Sequence, residues 1–254
     1  MRHAFFSSSR PLVFAHRGGA ALAPENTLDA FDNGLALGAD GIELDVRLSR
    51  DGVVVVHHDA TLDRTTRLHG PVAARHIDEL AGAHVPTLRS VLQRYPAVRV
   101  IVEIKERNPA IARAVLDDVR AANAADRVCI GSFSRAPLRV VRRLEPAIAT
   151  SAAREEVRWA LYRSWCRWPV TNTPYAGYQI PEIAGSTRVV SPRFVTDAHR
   201  VGLGVQVWTV NAERVAEKLL DWGVDALITD RPDLMVPLVR TFVPTTPFHR
   251  TSLA

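Results

Sequence analysis

Cysteine is nearly absent from this chain, which has only Cys129 and Cys166 among 254 residues. Two cysteines this far apart do not form the disulfide framework of a small secreted domain. A chain of this length can instead bury a sizeable hydrophobic core. We therefore expect a protein of a reducing compartment, in the cytoplasm, whose fold depends on its core.

Long apolar runs are missing as well. No stretch reaches the ~18 apolar residues of a membrane-spanning helix, and the residues before Leu12 hold no apolar core of the length found in signal peptides. Runs of like charge are also missing, because the arginines that give a net charge of +5 are scattered. This argues against a basic nucleic-acid-binding tail and is compatible with an anionic substrate or an anionic membrane surface.

What the chain does contain is a regular alternation of short apolar segments with amphipathic ones. Alternating strands and helices with Val- and Ile-rich strands predict a parallel sheet covered by helices. At this length the closed form is a (β/α)8 barrel of the TIM type, somewhat distorted. The strand candidates are residues 12–16, 41–46, 53–58, 98–105, 127–133, 147–153, 176–180, 203–210 and 225–230.

These nine candidates are one more than the barrel needs. The link from Val46 to Gly52 is too short for a helical crossover, and its Asp51-Gly52 pair favours a hairpin turn. One of the segments 41–46 and 53–58 therefore runs antiparallel or lies outside the regular barrel order, and the sequence leaves open which.

Local signals set the expected boundaries. Pro24 suits the first turn of a helix, Asn211 is a candidate N-cap, and Gly223 is a candidate C′ glycine. We expect a barrel over residues 10–240 and a loosely ordered tail over 241–254, where two prolines interrupt any periodicity.

Charged side chains occur inside two of the apolar strand candidates. Glu43 and Asp45 are two residues apart and so share one face of a strand, as do Glu103 and Lys105. Buried carboxylates need a cation, and three of them suit a hard divalent ion, Mg²⁺ or Ca²⁺. The alternative is a set of charges at the barrel rim or an internal Glu–Lys ion pair.

Histidines stand at the ends of two strand candidates. His16 ends the first, and His57 and His58 end the third, where only one of the two adjacent rings can face a site. Two histidines can act as general acid and general base near neutral pH. Arg17 beside His16, together with Lys105, offers fixed charge for a phosphate. Gly18 and Gly19 permit a close backbone approach to a ligand.

These residues belong to seven motifs that together resemble the glycerophosphodiester phosphodiesterase family. The resemblance follows the family's order from about Leu12 to Leu238. The motifs are "HRGGAALAPENTLDAF", "GADGIELDVRLSRDGVVVVHHD", "LDRTT", "VPTLRSVL", "VEIK", "VWTVN" and "GVDALITDRPDL".

The resemblance implies hydrolysis of glycerophosphodiesters to glycerol 3-phosphate and an alcohol on a distorted barrel. It also implies that attack begins from the substrate's own 2-hydroxyl through a cyclic phosphate. The roles it gives are acid–base catalysis for His16 and His58, metal binding for Glu43, Asp45 and Glu103, phosphate binding for Arg17 and Lys105, and substrate packing for Trp208. His57 then lies on the outer face.

Other residues of the motifs receive structural interpretations. The loop 24–27 is expected to cap a helix, although Glu25 could reach the surroundings of the metal site. Asp230 and Arg231 are expected to form a loop ion pair, and Asp59 is expected to pair with Arg64.

Two segments depart from the family pattern. The segment 67–84, which often forms a longer cap, is short here, and we hypothesise a more open mouth that admits lysophospholipids. The segment 158–170 mixes tryptophans with arginines. It is either a membrane-surface segment or, in the interpretation we favour, a barrel helix whose tryptophans pack on the sheet.

A metal-dependent phosphodiesterase acting on a small molecule is therefore the main hypothesis, with a lysophospholipase D-type hydrolase as the alternative. A barrel that only binds phosphodiesters would be expected to lack one of the histidines or carboxylates, and all are present. The sequence leaves open the metal, the head group and the oligomeric state.

Overall fold

The computed structural model describes residues 2–168 and 170–243. Its strands are β1 (Leu12–His16), β2 (Gly41–Leu48), β3 (Val54–Val56), β4 (Arg99–Ile104), β5 (Val128–Gly131), β6 (Ala149–Thr150), β7 (Gly177–Pro181), β8 (Ile183–Ala184), β9 (Thr187–Arg188), β10 (Gly204–Trp208) and β11 (Ala226–Thr229). Its helices are α1 (Leu28–Ala36), α2 (Ile77–Gly82), α3 (Leu88–Arg94), α4 (Ala110–Ala121), α5 (Arg135–Leu144), α6 (Arg154–Trp165), α7 (Pro192–Arg200), α8 (Glu213–Asp221) and α9 (Pro232–Thr241).

Eight parallel strands form a nearly closed barrel in the order β6-β5-β4-β2-β1-β11-β10-β7. A parallel bridge from Ser151 to Gly177 brings the ends of this series together. Seven of the eight strands come from the sequence candidates with small changes in length, while β6 keeps only two of its seven expected residues. The (β/α)8 barrel is confirmed.

The surplus strand is β3, which pairs antiparallel with β2 and lies off the barrel path. Val46 pairs with Val56 across this short hairpin, and Ser49 Oγ accepts from the Val53 amide at 2.9 Å within the connecting turn. The segment that lies outside the barrel order is therefore 53–58, and its strand β3 is followed directly by His57 and His58.

The barrel interior is closed at the N-terminal ends of the strands by aromatic side chains. Phe5 and Phe6 enter from the N-terminal segment, and Phe5 stacks on Phe14 with ring centroids 6.0 Å apart. A Cβ atom on Gly204, at the start of β10, would overlap the Phe6 ring. Because this end is filled, the opposite end of the barrel is the one available for chemistry.

Two helix starts differ from the sequence prediction. Helix α1 begins at Leu28, and the Thr27 hydroxyl caps it by accepting from the Ala30 amide at 3.2 Å, so Pro24 lies outside the first turn. Helix α8 is preceded by Ala212, and Asn211 is therefore not its N-cap. Gly223 does follow the end of α8 with a positive φ of 88°, as expected.

The tryptophan-rich segment is a barrel helix, but its aromatic side chains do not pack on the sheet. Helix α6 turns Ala160, Leu161 and Ser164 inward. Trp159 and Trp165 face solvent. The expectation that the tryptophans are buried was wrong, because Ala160, Leu161 and Ser164 occupy the inner face of this helix.

The short cap after β3 has a core of its own, built from Val55, Leu62, Val72, Leu80 and Val85. Within residues 2–168 and 170–243, no helix combines the length and apolar composition required to cross a membrane. Of the tail expected over 241–254, residues 244–254 lie outside the described part of the chain.

Candidate active site

The polar ends of β1, β2 and β4 are lateral neighbours at the C-terminal rim of the barrel. The register pairs His16 with Glu43 and Asp45 with Glu103. This parallel register places the charged residues of the three strands next to one another at the rim, together with Lys105 just beyond β4. This juxtaposition is what the sequence predicted from strand ends.

Glu43, Asp45 and Glu103 each offer a carboxylate oxygen within 4.8 Å of the others. Burial, and then the charge of Asp45, raises the pKa of Glu43 to about 8. Burial likewise raises the pKa of Glu103. Both shifts have burial as their main cause, so the ionised form of these two carboxyl groups is disfavoured, and a set of oxygen ligands fits a hard divalent cation.

Arg17 and Lys105 flank the carboxylates. Lys105 Nζ lies 2.9 Å from Asp45 Oδ1 and 3.1 Å from Glu103 Oε1, and Arg17 Nε lies 3.2 Å from Asp45 Oδ2. Burial alone would raise the pKa of Asp45, but Lys105 and then Arg17 outweigh it and lower that pKa. The internal Glu–Lys pair considered for the sequence is thus present together with the carboxylate cluster.

His16 is held by the carboxylate of Asp230, which directly follows the last strand of the barrel. Its Nδ1 donates to Asp230 Oδ1 at 2.6 Å, and its Nε2 lies 3.8 Å from Glu43 Oε2. Burial alone would lower the pKa of His16, but Glu43 and then Asp230 outweigh it and raise that pKa. Asn211 Nδ2 donates to Asp230 Oδ2 at 2.7 Å and fixes the carboxylate.

His58 has a carboxylate of its own. Its Nδ1 donates to Asp59 Oδ1 at 2.7 Å, and Asp59 in turn accepts from Arg64 Nε at 2.6 Å. Arg47 donates from Nε and Nη2 to the His58 carbonyl at 3.0 and 2.8 Å, which fixes the backbone. Burial lowers the pKa of His58. His57 is buried with Nε2 donating to the Thr61 carbonyl at 3.0 Å, away from the site as expected.

The loop after β1 braces the site as well as capping α1. Glu25 accepts from Arg17 Nη1 at 2.9 Å and from Arg64 Nη2 at 2.6 Å, so it links the two histidine neighbourhoods. The buried Asn26 donates from Nδ2 to Asp45 Oδ2 at 3.0 Å. Glu25 reaches the surroundings of the carboxylate cluster through Arg17, as considered from the sequence, whereas the role of Asn26 was missed.

Gly18 and Gly19 have positive φ values of 88° and 99°. A Cβ atom on Gly18 would lie 2.6 Å from the Ala30 Cβ, so this glycine permits packing of the loop on α1. Arg17 adopts a left-handed backbone with φ 52°, and its amide donates to Glu43 Oε2 at 3.2 Å. The strained loop thus positions an amide as well as a guanidinium.

Two aromatic side chains form one wall of the mouth. The Trp208 and Phe133 rings meet edge to face with centroids 5.9 Å apart, and Lys105 Nζ lies 5.9 Å from the Phe133 centroid. Trp208 was expected here from the resemblance. Phe133 was missed, although it directly follows a strand candidate.

The structure therefore brings together the predicted site residues of β1, β2 and β4, together with Trp208. It corrects the ion pair expected between Asp230 and Arg231, since Arg231 pairs with Asp233 at 2.7 Å. The expected Asp59–Arg64 pair is present, and Asp59 also accepts a hydrogen bond from His58.

Comparison with known proteins agrees with this geometry. The model of the glycerophosphoryl diester phosphodiesterase family matches residues 16–234. The chain belongs to this family. A glycerophosphodiester phosphodiesterase from Caldanaerobacter subterraneus subsp. tengcongensis is 32% identical over 253 residues, which cover 91% of this chain and 98% of the relative.

Two further relatives are described by a bound product or by a reaction. A solved phosphodiesterase from Oleispira antarctica, in complex with the product sn-glycerol-3-phosphate, has a TM-score of 0.75 and 26% identity and covers 91% of this chain and 98% of its own. A lysophospholipase D from Mus musculus is 26% identical, covering 86% of this chain and 78% of its own. The protein is a phosphoric diester hydrolase that acts on a small molecule.

Proposed function

We propose that this protein hydrolyses glycerophosphodiesters to sn-glycerol 3-phosphate and an alcohol, with a bound divalent cation and two histidines as the acid–base pair. The observation that carries the proposal is the carboxylate trio within 4.8 Å at the rim, adjoining one histidine directly and flanked by Arg17 and Lys105. Diester hydrolysis needs charge neutralisation and proton transfer in one place, and this arrangement supplies both.

Glu43, Asp45 and Glu103 are the residues that would hold the cation, Mg²⁺ or Ca²⁺, since both prefer oxygen ligands. When bound, the cation supplies positive charge to the phosphate oxygens. Arg17 and Lys105 bind the same phosphate from the side of the carboxylates, Arg17 through a planar guanidinium and Lys105 as a point charge.

His16 and His58 move the protons. One ring accepts the proton of the attacking oxygen, which forms the new P–O bond, and the other donates a proton to the departing alcohol oxygen as its P–O bond breaks. Asp230 and Asp59 hold the two rings by their Nδ1 atoms, so both Nε2 atoms are left for the reacting oxygens. In the first step the attacking oxygen is the substrate's 2-hydroxyl, and its attack forms a cyclic phosphate. In the second step water attacks the phosphorus and opens the cyclic phosphate.

The test is release of glycerol 3-phosphate from glycerophosphocholine by the wild type and by the variants H16A and H58A, each supplied with Mg²⁺ or Ca²⁺. Loss of roughly 10²–10⁴-fold in kcat in both variants is expected for proton-transfer residues. H69A, which alters an exposed histidine on the cap, is the matched control and keeps full activity. Full activity in either site variant would contradict the assignment.

A lysophospholipase D-type reaction is the second candidate, favoured by the mouse relative and by the short cap. The same residues would serve, and the acyl chain would leave through the mouth beside Phe133. Choline release from lysophosphatidylcholine, compared with release from glycerophosphocholine, separates the two substrates. No release from the lysolipid would eliminate this candidate.

Cytoplasmic location is a further proposal, supported by the free state of both cysteines, one of which, Cys166, is exposed. Fractionation of cells that express the chain, with a marker enzyme for each compartment, tests it. Recovery outside the cytoplasmic fraction would contradict it.

A further inference from the structure

The outer side of α6 and the turn after it carry a group of exposed rings that we call the aromatic surface: Trp159, Tyr162, Trp165 and Trp168. Their exposed fractions are 59%, 49%, 54% and 71%. In residues 2–168 and 170–243, nine large hydrophobic side chains are exposed, and four of them lie in these ten positions. Such a concentration of apolar area on a surface marks an interaction site.

The rings of the aromatic surface are held by contacts with one another and with an arginine. Tyr162 and Trp165 meet edge to face with centroids 5.6 Å apart. The Arg163 guanidinium lies 5.8 Å from the Trp159 centroid and 4.6 Å from the Trp168 centroid, and its Nε donates to the Trp168 carbonyl at 2.8 Å. The rings are therefore presented in a defined arrangement, which lowers the entropy lost on binding.

Arginines lie beside the aromatic surface, in the same segment and on the neighbouring helix α7. Residues 158–168 contain three arginines and no carboxylate. Arg193 and Arg200 of the neighbouring helix α7 line an open cavity of about 470 Å³ together with Arg167, Thr196 and Asp197.

The carboxylates of α6 and α7 each lie near a partner. Asp197 accepts from Ser164 Oγ at 2.7 Å and lies 3.7 Å from Arg200. Glu156 accepts from Arg142 at 2.8 Å, and the exposed Glu155 lies 3.9 Å from Arg135. The surplus charge at the aromatic surface is thus positive, so its partner is expected to be negative.

We propose that the aromatic surface and the arginines beside it bind the headgroup region of an anionic lipid bilayer. Tryptophan and tyrosine favour the membrane–water interface because their rings are apolar and their N–H or O–H groups remain hydrated. Arginines near such rings add attraction to anionic headgroups. The rings are exposed side by side on α6 and the turn after it, which suits a flat extended surface better than a narrow ligand.

The proposal is independent of the phosphodiesterase assignment, because the surface is built by α6 and α7 while the site is built by the rim of β1, β2 and β4. Binding to lipid and hydrolysis of a water-soluble diester are therefore separable measurements. Variants of the aromatic surface are expected to keep their activity on glycerophosphocholine.

The experiment is flotation of the full chain with vesicles of equal parts phosphatidylglycerol and phosphatidylcholine, and with vesicles of phosphatidylcholine alone. One variant removes rings (W159S/W165S), and a second removes charge (R158Q/R167Q/R193Q). The controls are L37S/V243S, which removes exposed apolar side chains elsewhere, and R113Q/R139Q/R214Q, which removes the same number of exposed arginines elsewhere. Thermal unfolding and glycerophosphocholine hydrolysis confirm that each variant is folded.

We expect the wild type to float with the anionic vesicles, less with the neutral ones, and less at high salt. Both surface variants are expected to lose about tenfold or more in partitioning, and both controls to match the wild type. A wild type that does not float with anionic vesicles would overturn the proposal. So would surface variants that float as the wild type does. Concentration-dependent self-association that W159S/W165S abolishes, with no lipid binding, would show that a second copy occupies the surface instead.

Discussion

His16 Nδ1 and Asp230 Oδ1 lie 2.6 Å apart, across the junction between the first and the last strand of the barrel. These residues are 214 positions apart in the chain, and only the pairing of β1 with β11 brings them together. A donor bond from Nδ1 fixes the tautomer and ring orientation of His16, so Nε2 is directed to the site. Given the proton transfer proposed for His16, we propose that Asp230 is its positioning residue.

The first prediction follows from this bond. Replacement of Asp230 by Asn keeps the shape of the side chain but removes the charge, and kcat on glycerophosphocholine should fall roughly 10- to 100-fold with little change in KM. Mg²⁺ affinity, measured by calorimetry, should stay within about twofold. D233N, in the first turn of α9, is the control. Unchanged kcat in D230N would show that the bond has no catalytic consequence.

A second prediction concerns the cost of the carboxylate cluster. Glu43 is buried beside Asp45, and its raised pKa shows that its charge is destabilising in the folded state without a cation. In the presence of chelator, E43Q should therefore unfold at the same temperature as the wild type or higher.

Addition of Mg²⁺ or Ca²⁺ should raise the unfolding temperature of the wild type and not of E43Q. The gain for the wild type is about 2.7 kcal/mol at a free cation concentration of ~100 times Kd. E155Q, at an exposed position on α6, should respond to the cation as the wild type does. Equal stabilisation of E43Q by the cation would argue against the carboxylate trio as the metal site.

A third prediction concerns the aromatic wall. Phe133 contacts Trp208 edge to face and lies near Lys105, so it should contribute to substrate binding and not to proton transfer. We expect F133A to raise KM for glycerophosphocholine about 3- to 10-fold, which corresponds to ~0.5–1.5 kcal/mol for an aromatic pair, while kcat changes little. A fall in kcat with KM unchanged would contradict this placement.

A fourth prediction concerns the acid limit of stability. The buried Asp225 accepts from His199 Nε2 at 2.8 Å and from the Val205 amide at 2.7 Å. Burial alone would raise the pKa of Asp225, but His199 and then Arg2 outweigh it and lower that pKa. A carboxyl group whose pKa is lower in the folded state stabilises the protein above its unfolded pKa of ~3.9.

This stabilisation should be lost as the pH falls from ~3.9 through the folded pKa of Asp225. D225N should cost about 1–3 kcal/mol at pH 7, because polar partners lose a charged acceptor, and it should flatten the stability curve at acid pH. Urea unfolding of the wild type and of D225N across the acid range measures both effects, with D126N at an exposed position as the control. A parallel decline of D225N and the wild type would contradict the role of this carboxylate.

The part of the site that lies in strands was predictable from the sequence. Glu43 and Asp45, and likewise Glu103 and Lys105, interrupt apolar segments at a spacing of two, and a parallel sheet places all strand ends on one rim. The barrel was also predictable, because the alternation of strands and helices along the chain indicates it even though β6 is shorter than expected. The roles of these residues in catalysis and metal binding stay predictions, as do the domain limits 10–240 and 241–254.

What could not be predicted depends on contacts between distant residues or on a choice between equal local signals. Asn211 has the chemistry of an N-cap, but closure of the barrel gives it Asp230 as a partner instead. Thr27 and Pro24 are both acceptable near a helix start, and only Thr27 reaches the Ala30 amide. In α6 the size of the tryptophan rings led to the prediction that they form the buried face. In the structure the rings are exposed and Ala160 is buried.

The measurement that tests the account most directly is release of glycerol 3-phosphate from glycerophosphocholine by the purified wild type, first with chelator and then after Mg²⁺ or Ca²⁺ is restored. The account predicts that chelator abolishes product formation and that one of the two cations restores it. Full product formation in chelator would contradict a metal site at Glu43, Asp45 and Glu103, and no product with either cation would contradict glycerophosphodiesters as the substrate.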